Sequence, residues 1–88
     1  MSTVGDQVLT MYSTSWCGFC HRLGSQLERE RIPFQVIDIE KDHEAAQYVM
    51  SVNGGNQTVP TVRFPDGSAL TNPTLPEVRA RLARIAIT

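Results

Sequence analysis

Two short β-rich runs, residues 8–12 and 34–39, bracket a stretch in which Phe19, Leu23 and Leu27 recur every four positions. The runs have the composition of strands, and the spacing between them places three apolar residues on one helical face. Two strands joined through a helix run parallel with a right-handed crossover, so the first half of the chain is expected to form a βαβ unit. The helix is expected from about residue 17 to residue 31, because Pro33 biases Ile32 away from helical geometry. Farther on, Asp42 can cap a second helix carrying Ala45, Ala46, Val49 and Val52, which Asn53-Gly54-Gly55 would end. Residues 61–64 and 68–70 flank Asp66-Gly67, a hairpin turn signal. Thr74-Leu75-Pro76-Glu77 then fits a capping box, opening a helix with Leu75, Val78, Leu82 and Ile85 on one side. The expected order is β-α-β-α-β-β-α: an α/β fold in a single domain over residues 1–88, with a four-stranded mixed sheet and three flanking helices.

The bulk numbers narrow the function. Eight basic and nine acidic residues leave a net charge of -1, so no strong field favours nucleic acid or an anionic membrane. No stretch approaches the roughly 20 apolar residues of a membrane-spanning helix. Residues 1–7 lack the basic cluster and apolar segment of a secretory signal, which leads to the expectation of a cytoplasmic protein. The only two cysteines, Cys17 and Cys20, are separated by two residues. A bridge across so short a loop restrains the unfolded chain little, so the pair reads as working thiols rather than a staple. A monomer is the default, since no apolar stripe exceeds what the core needs.

The position of the pair suggests its chemistry. Thiol–disulfide exchange needs a thiolate that attacks a disulfide and, in many systems, a second thiol that releases the mixed intermediate. Cys17 sits where a strand hands over to a helix, where free backbone N–H groups and the helix dipole favour a sulfur anion. It is therefore expected to be exposed and nucleophilic. Cys20, one turn on, is expected to be more buried and to act as the resolving thiol. Two other chemistries fit the letters. Cys17, Cys20, His21 and His43 could nominally hold zinc, although they lack a second close ligand pair. Cys17 to His21 also matches the c-type haem attachment motif, in a chain that does not read as all-helical. Two inert buried cysteines complete the set of alternatives.

Neighbouring residues stay open between roles on the sequence alone. Trp16, the only tryptophan, either fills the core or flanks the thiol for substrate contact. Phe19 faces the same choice: its place in the Leu23–Leu27 series makes burial plausible, and its place beside the thiols makes substrate contact equally so. Arg22 either raises the potential near Cys17 or is simply solvated, and His43 reads as an exposed helix start. The proline of Thr58-Val59-Pro60 either begins a strand in the ordinary way or belongs to the site.

Thr14-Ser-Trp-Cys-Gly-Phe-Cys20, Ser51-Val-Asn-Gly-Gly-Asn56, Thr58-Val-Pro60, Asp66-Gly-Ser68 and Leu70-Thr-Asn-Pro73 together resemble the thioredoxin superfamily and its glutaredoxin branch, and within it the mycoredoxins, the glutaredoxin-like partners of mycothiol. The resemblance covers nearly the whole chain. It implies a thioredoxin/glutaredoxin-like fold and a thiol–disulfide oxidoreductase with catalytic Cys17 and Cys20. It also implies a cis bond before Pro60, with the Val59 backbone beside Cys17 to pair with an extended thiol substrate. No metal or bound cofactor is implied. Mycothiol would be the co-substrate, with NADPH acting indirectly through a mycothiol disulfide reductase, and the partners would be mycothiolated or disulfide-containing proteins. Trp16 and Gly18 look like thioredoxin, which keeps alive a thioredoxin-like or ribonucleotide-reductase-feeding redoxin that uses both cysteines. Glutathione-binding glutaredoxins usually carry acids where the last helix begins. Here the stretch is Thr71-Asn72-Pro73-Thr74-Leu75, and hydroxyl and amide groups at Thr71 and Asn72 suit a neutral, hydroxyl-rich headgroup.

Overall fold

The computed structural model describes residues 8–87; residues 1–7, from which the absence of a leader was read, lie outside the described residues. Strand β1 (Leu9–Ser13) alternates its side chains between two covered faces, and four of its five residues are buried. It pairs parallel with β2 (Phe34–Asp38), from Leu9 opposite Phe34 to Ser13 opposite Asp38. On its other side it pairs antiparallel with β3 (Thr61–Arg63), Met11 facing Val62. β4 (Ala69–Thr71) returns antiparallel to β3, giving the strand order β2-β1-β3-β4. Helices α1 (Gly18–Arg29), α2 (His43–Val52) and α3 (Leu75–Ile87) complete the expected β-α-β-α-β-β-α order.

The alternation sorts the core into two layers. Leu9, Met11, Val62 and Phe64 meet Cys17, Cys20, Leu23 and Leu27 of the α1 region and Val78 of α3. Tyr12, on the opposite face, meets Ile39 and the Ala45, Ala46 and Val49 stripe of α2. Leu27, Val62 and Val78 are fully sealed, and burial of each such side chain contributes roughly 1.5–3 kcal/mol. On the first face Leu75, Leu82 and Ile85 pack against the core beside Val78, so the apolar side read for α3 is the side it buries.

Local chemistry sets most of the boundaries. Asp42 accepts from the Ala45 N–H at 3.0 Å and caps α2. Thr74 and Glu77 exchange hydrogen bonds, Glu77 accepting from the Thr74 N–H at 2.8 Å and Thr74 Oγ1 from the Glu77 N–H at 3.3 Å, which is the reciprocal box expected. α1 ends earlier than Pro33 suggested. Arg31 turns left-handed (φ 59°), and the Ile32 and Arg31 N–H groups return to the Leu27 and Glu28 carbonyls. These are the paired bonds of a Schellman stop, so the helix closes itself before the proline acts. The hairpin differs as well. Phe64 accepts from the Gly67 N–H at 2.9 Å and donates to the Ser68 carbonyl at 2.8 Å, while Gly67 alone in the turn has positive φ (91°). Pro65 therefore begins a three-residue loop that ends on a left-handed glycine.

Candidate active site

The loop 14–17 carries the chain from β1 into α1, and its last residue is the helix N-cap. Cys17 is extended there, and its Sγ accepts the Cys20 N–H at 3.1 Å. A nucleophile candidate thus occupies the place usually held by a capping serine or aspartate, with one of the helix's orphan donors aimed at its sulfur. This capping role also corrects the expectation of an exposed Cys17. With the sulfur folded back over the first turn, Cys17 is only 4% exposed, against 1% for Cys20. Burial and the hydrogen bond with Cys17 push the Cys20 thiol up to about 11, while hydrogen bonds with the Ser13 side chain and the Thr14 backbone act the other way.

Two aromatics stand out from this buried pair. Trp16 is 71% and Phe19 62% exposed. The buried stripe of α1 is Cys20, Leu23, Gly24 and Leu27. At about 100° per residue, Phe19 lies roughly 90° from the middle of that stripe, so the four-residue series that makes its burial plausible points it to the side. The Trp16 indole N–H donates to Glu40 Oε2 at 3.1 Å, while the Glu40 backbone N–H is held by Asp38 at 2.9 Å.

The Val59–Pro60 bond is cis. Pro60 is buried, and Val59 packs against both core layers, including the one that contains Cys17. Asn53, read from the sequence only as part of a helix stop, is the hub of the surrounding polar network. Its Nδ2 donates to the Val49 carbonyl at 2.8 Å and to Thr61 Oγ1 at 3.1 Å. Thr61 in turn donates to the Thr58 carbonyl at 2.8 Å. The Thr71 hydroxyl donates to Asn53 Oδ1. Thr58 and Thr71 are thereby tied to the end of α2. Asn72 adopts the left-handed conformation (φ 48°) that asparagine tolerates, and its N–H reaches the Pro60 carbonyl at 2.7 Å.

Beside the pair, α1 and the chain entering α3 enclose an open groove of ≈ 350 Å³. Phe19, Arg22 and Gln26 form one wall and Asn72, Thr74 and Leu75 the other. The sequence reads Arg22 as either a local charge or a solvated side chain and singles out nothing at Gln26; their i, i+4 spacing from each other is the available signal. His43 is exposed at the start of α2, with its Nε2 3.2 Å from Gln47 Nε2. Among the described residues, no three His, Cys, Asp or Glu side chains come together as a metal-holding group.

The glutaredoxin family model matches residues 9–70, which spans both cysteines, the cis-proline segment and all four strands except the end of β4. This chain belongs to the glutaredoxin family. Among its relatives is a Mycobacterium tuberculosis protein with a provisional glutaredoxin designation, 58% identical over 78 residues that cover 89% of this chain and 93% of that one. Mycoredoxin 1 of Corynebacterium glutamicum is 42% identical, again over 78 residues, covering 89% and 96%. Among solved structures, a glutaredoxin from Archaeoglobus fulgidus superposes with a TM-score of 0.70 at 25% identity, covering 96% of this chain and 97% of that one. A wheat glutaredoxin matches the fold with a TM-score of 0.64 at 20% identity, covering 86% and 79%. As a glutaredoxin, the protein is a thiol–disulfide oxidoreductase of thioredoxin-like fold, and the Cys17–Cys20 pair is its C-x-x-C centre.

Proposed function

We propose that this glutaredoxin reduces mixed disulfides between proteins and the low-molecular-weight thiol mycothiol. Cys17 attacks the mycothiol sulfur of the mixed disulfide. The protein sulfur leaves as a free thiol, and Cys17 keeps the mycothiol in disulfide linkage. A second mycothiol, or Cys20, then displaces it. The protein acts as a cytoplasmic monomer without a bound cofactor. Its electrons return through mycothiol and an NADPH-linked mycothiol disulfide reductase.

The observation that carries the choice of thiol is the groove beside the pair, whose lining includes no carboxylate. The γ-glutamyl end of glutathione brings a free ammonium and carboxylate, and the ammonium would find no acid in that lining. Glu77, the acid of the helix start, is engaged by the Thr74 N–H. Mycothiol instead presents an acetylated cysteine on a neutral sugar–inositol headgroup. The Arg22, Gln26 and Asn72 side chains can donate to its hydroxyls, the two amides can also accept from them, and the Phe19 ring offers a face to the sugar. The mycoredoxin name of the Corynebacterium relative points the same way.

The test is mass spectrometry of a Cys20→Ser variant offered mycothiol-mixed and glutathione-mixed disulfides side by side. A stable mycothiol adduct on Cys17, formed in preference to glutathione, is the expected result. A preference for glutathione would overturn the choice of thiol. A second reading has one observation in its favour: exposed Trp16 and Phe19 beside the thiols would suit a protein surface. In that reading the protein is a redoxin that reduces protein disulfides directly, and the variant would form protein adducts but neither small-thiol adduct.

A further inference from the structure

Turnover through both cysteines leaves one requirement unmet by the groove. The Cys20 thiol, held up at about 11 mainly by its burial, must lose its proton before it can attack. Its Cys17 side is where the substrate sulfurs lie. On another side, α1 stands off from β1 and the edge strand β2 across a surface cavity of ≈ 230 Å³ that is open to solvent. Cys20, His21 and Gly24 of α1 face Met11, Ser13 and Phe34 across it. The space is ample for water, which needs only about 10–15 Å³ and a few polar partners. Those partners are present. Ser13 lines this space together with Cys20, its side chain favours the Cys20 thiolate, and its hydroxyl donates to the Thr14 carbonyl at 3.1 Å. His21 is exposed at the rim.

The missing side chain of Gly24 keeps part of this space open. A Cβ there would meet Met11 Cε at 3.5 Å and Phe34 Cζ at 3.7 Å, ordinary contacts with two of the cavity's own walls. Alanine would therefore fit, and in mid-helix it is the better helix former.

We infer that this cavity is the proton exit of Cys20, with Ser13 turning the thiol toward it and His21 taking up the proton at its mouth. The inference rests on the reading of Cys17 as nucleophile and Cys20 as resolving thiol. In the step, the Cys20 S–H proton passes through cavity water to the imidazole. The Cys20 thiolate forms the S–S bond to Cys17, the bond from Cys17 to the small thiol breaks, and that thiol leaves as an anion that is protonated by solvent. Cys20 is oxidised and the small thiol is reduced, while Cys17 stays in disulfide linkage throughout. Among the residues lining the cavity with Cys20, the titratable ones are His21 and Glu28, both on α1, and Cys17 lies on the capping side; β1 and β2 contribute Met11, Ser13, Phe34 and Val36 to the lining. Of these, His21 carries a ring nitrogen able to accept a proton.

The experiment separates the two steps by rapid quenching and mass spectrometry. The probe is a peptide in mixed disulfide with N-acetylcysteine, which carries no headgroup and so does not depend on the choice of thiol. In the full-length protein, Gly24→Ala is expected to unfold at or above the wild-type temperature. It should form the Cys17 adduct at the wild-type rate yet close the Cys17–Cys20 disulfide about tenfold more slowly. His21→Ala should also close slowly and recover with added imidazole. Closing rates within about twofold of wild type in both variants would overturn the proton exit, as would a wild-type adduct that never closes. A wild type that forms no adduct on Cys17 would instead overturn the proposed function.

Discussion

On one flank of α1, Phe19, Arg22 and Gln26 face Asn72 and Thr74 across a groove of ≈ 350 Å³. On the other, Cys20 and Gly24 face Met11, Ser13 and Phe34 across a cavity of ≈ 230 Å³. The two sets of helix positions lie about half a turn apart, so one helix serves both spaces without sharing a side chain between them. Their far walls differ in kind. Behind the groove is an irregular segment, residues 72–74, leading into α3; behind the cavity is the sheet itself, β1 and β2. Loops accept substitution more readily than strands. The recognition side can therefore change its ligand while the side that handles the buried thiol keeps its shape.

Three perturbations sharpen or break this division. The largest effect is expected from Asn53→Ala, which removes bonds to Val49, Thr61 and Thr71 together. It should cost about 2 kcal/mol in denaturant unfolding and weaken mycothiol and glutathione disulfides alike, with the closing step unchanged. A slowed closing step would show that the two flanks are coupled. Next comes the double variant Arg22→Ala, Gln26→Ala. It should raise KM for a mycothiol-mixed disulfide about tenfold, equivalent to about 1.4 kcal/mol, and leave N-acetylcysteine disulfides untouched. Equal losses on both substrates would mean that the groove does not read the headgroup. The smallest effect concerns alkali. The Cys20 pKa is raised in the folded state, so its stabilising contribution is complete below the thiol's ordinary value of 9.0 and is lost as pH rises through about 11. Denaturant midpoints should fall across that window in the wild type, and fall less in Cys20→Ser.

What was legible in the sequence was whatever neighbours in the chain decide. The Asp42 cap, the Thr74–Glu77 box, the α3 stripe and Ala45, Ala46 and Val49 of α2 involve residues close together in the chain, and they stand in the structure as read; Val52, read with the same apolar positions of α2, is instead exposed at the end of the helix. The family motifs also carried the cis bond before Pro60. What was not legible depends on folding back. Phe19 and Cys20 both fit an apolar period, and only the position of the sheet decides which one is buried. The burial of Cys17 follows from its own sulfur serving as a cap. Asn53 joins Thr61 and Thr71 across 8 and 18 residues, a convergence that no local pattern announces. The groove and the cavity exist only once α1 is laid against α3 and the sheet.

Trp16 carries a practical consequence. It is the chain's only tryptophan, it immediately precedes Cys17, and its well-exposed indole is held by a single carboxylate, that of Glu40. The tryptophan emission of the protein thus comes from one residue, the neighbour in sequence of the proposed nucleophile Cys17. A mixed disulfide formed at Cys17, or a bridge closed to Cys20, places a quencher or removes a thiolate beside that ring. The molecule reports its own oxidation state optically, with no dye attached and no second tryptophan to blur the signal.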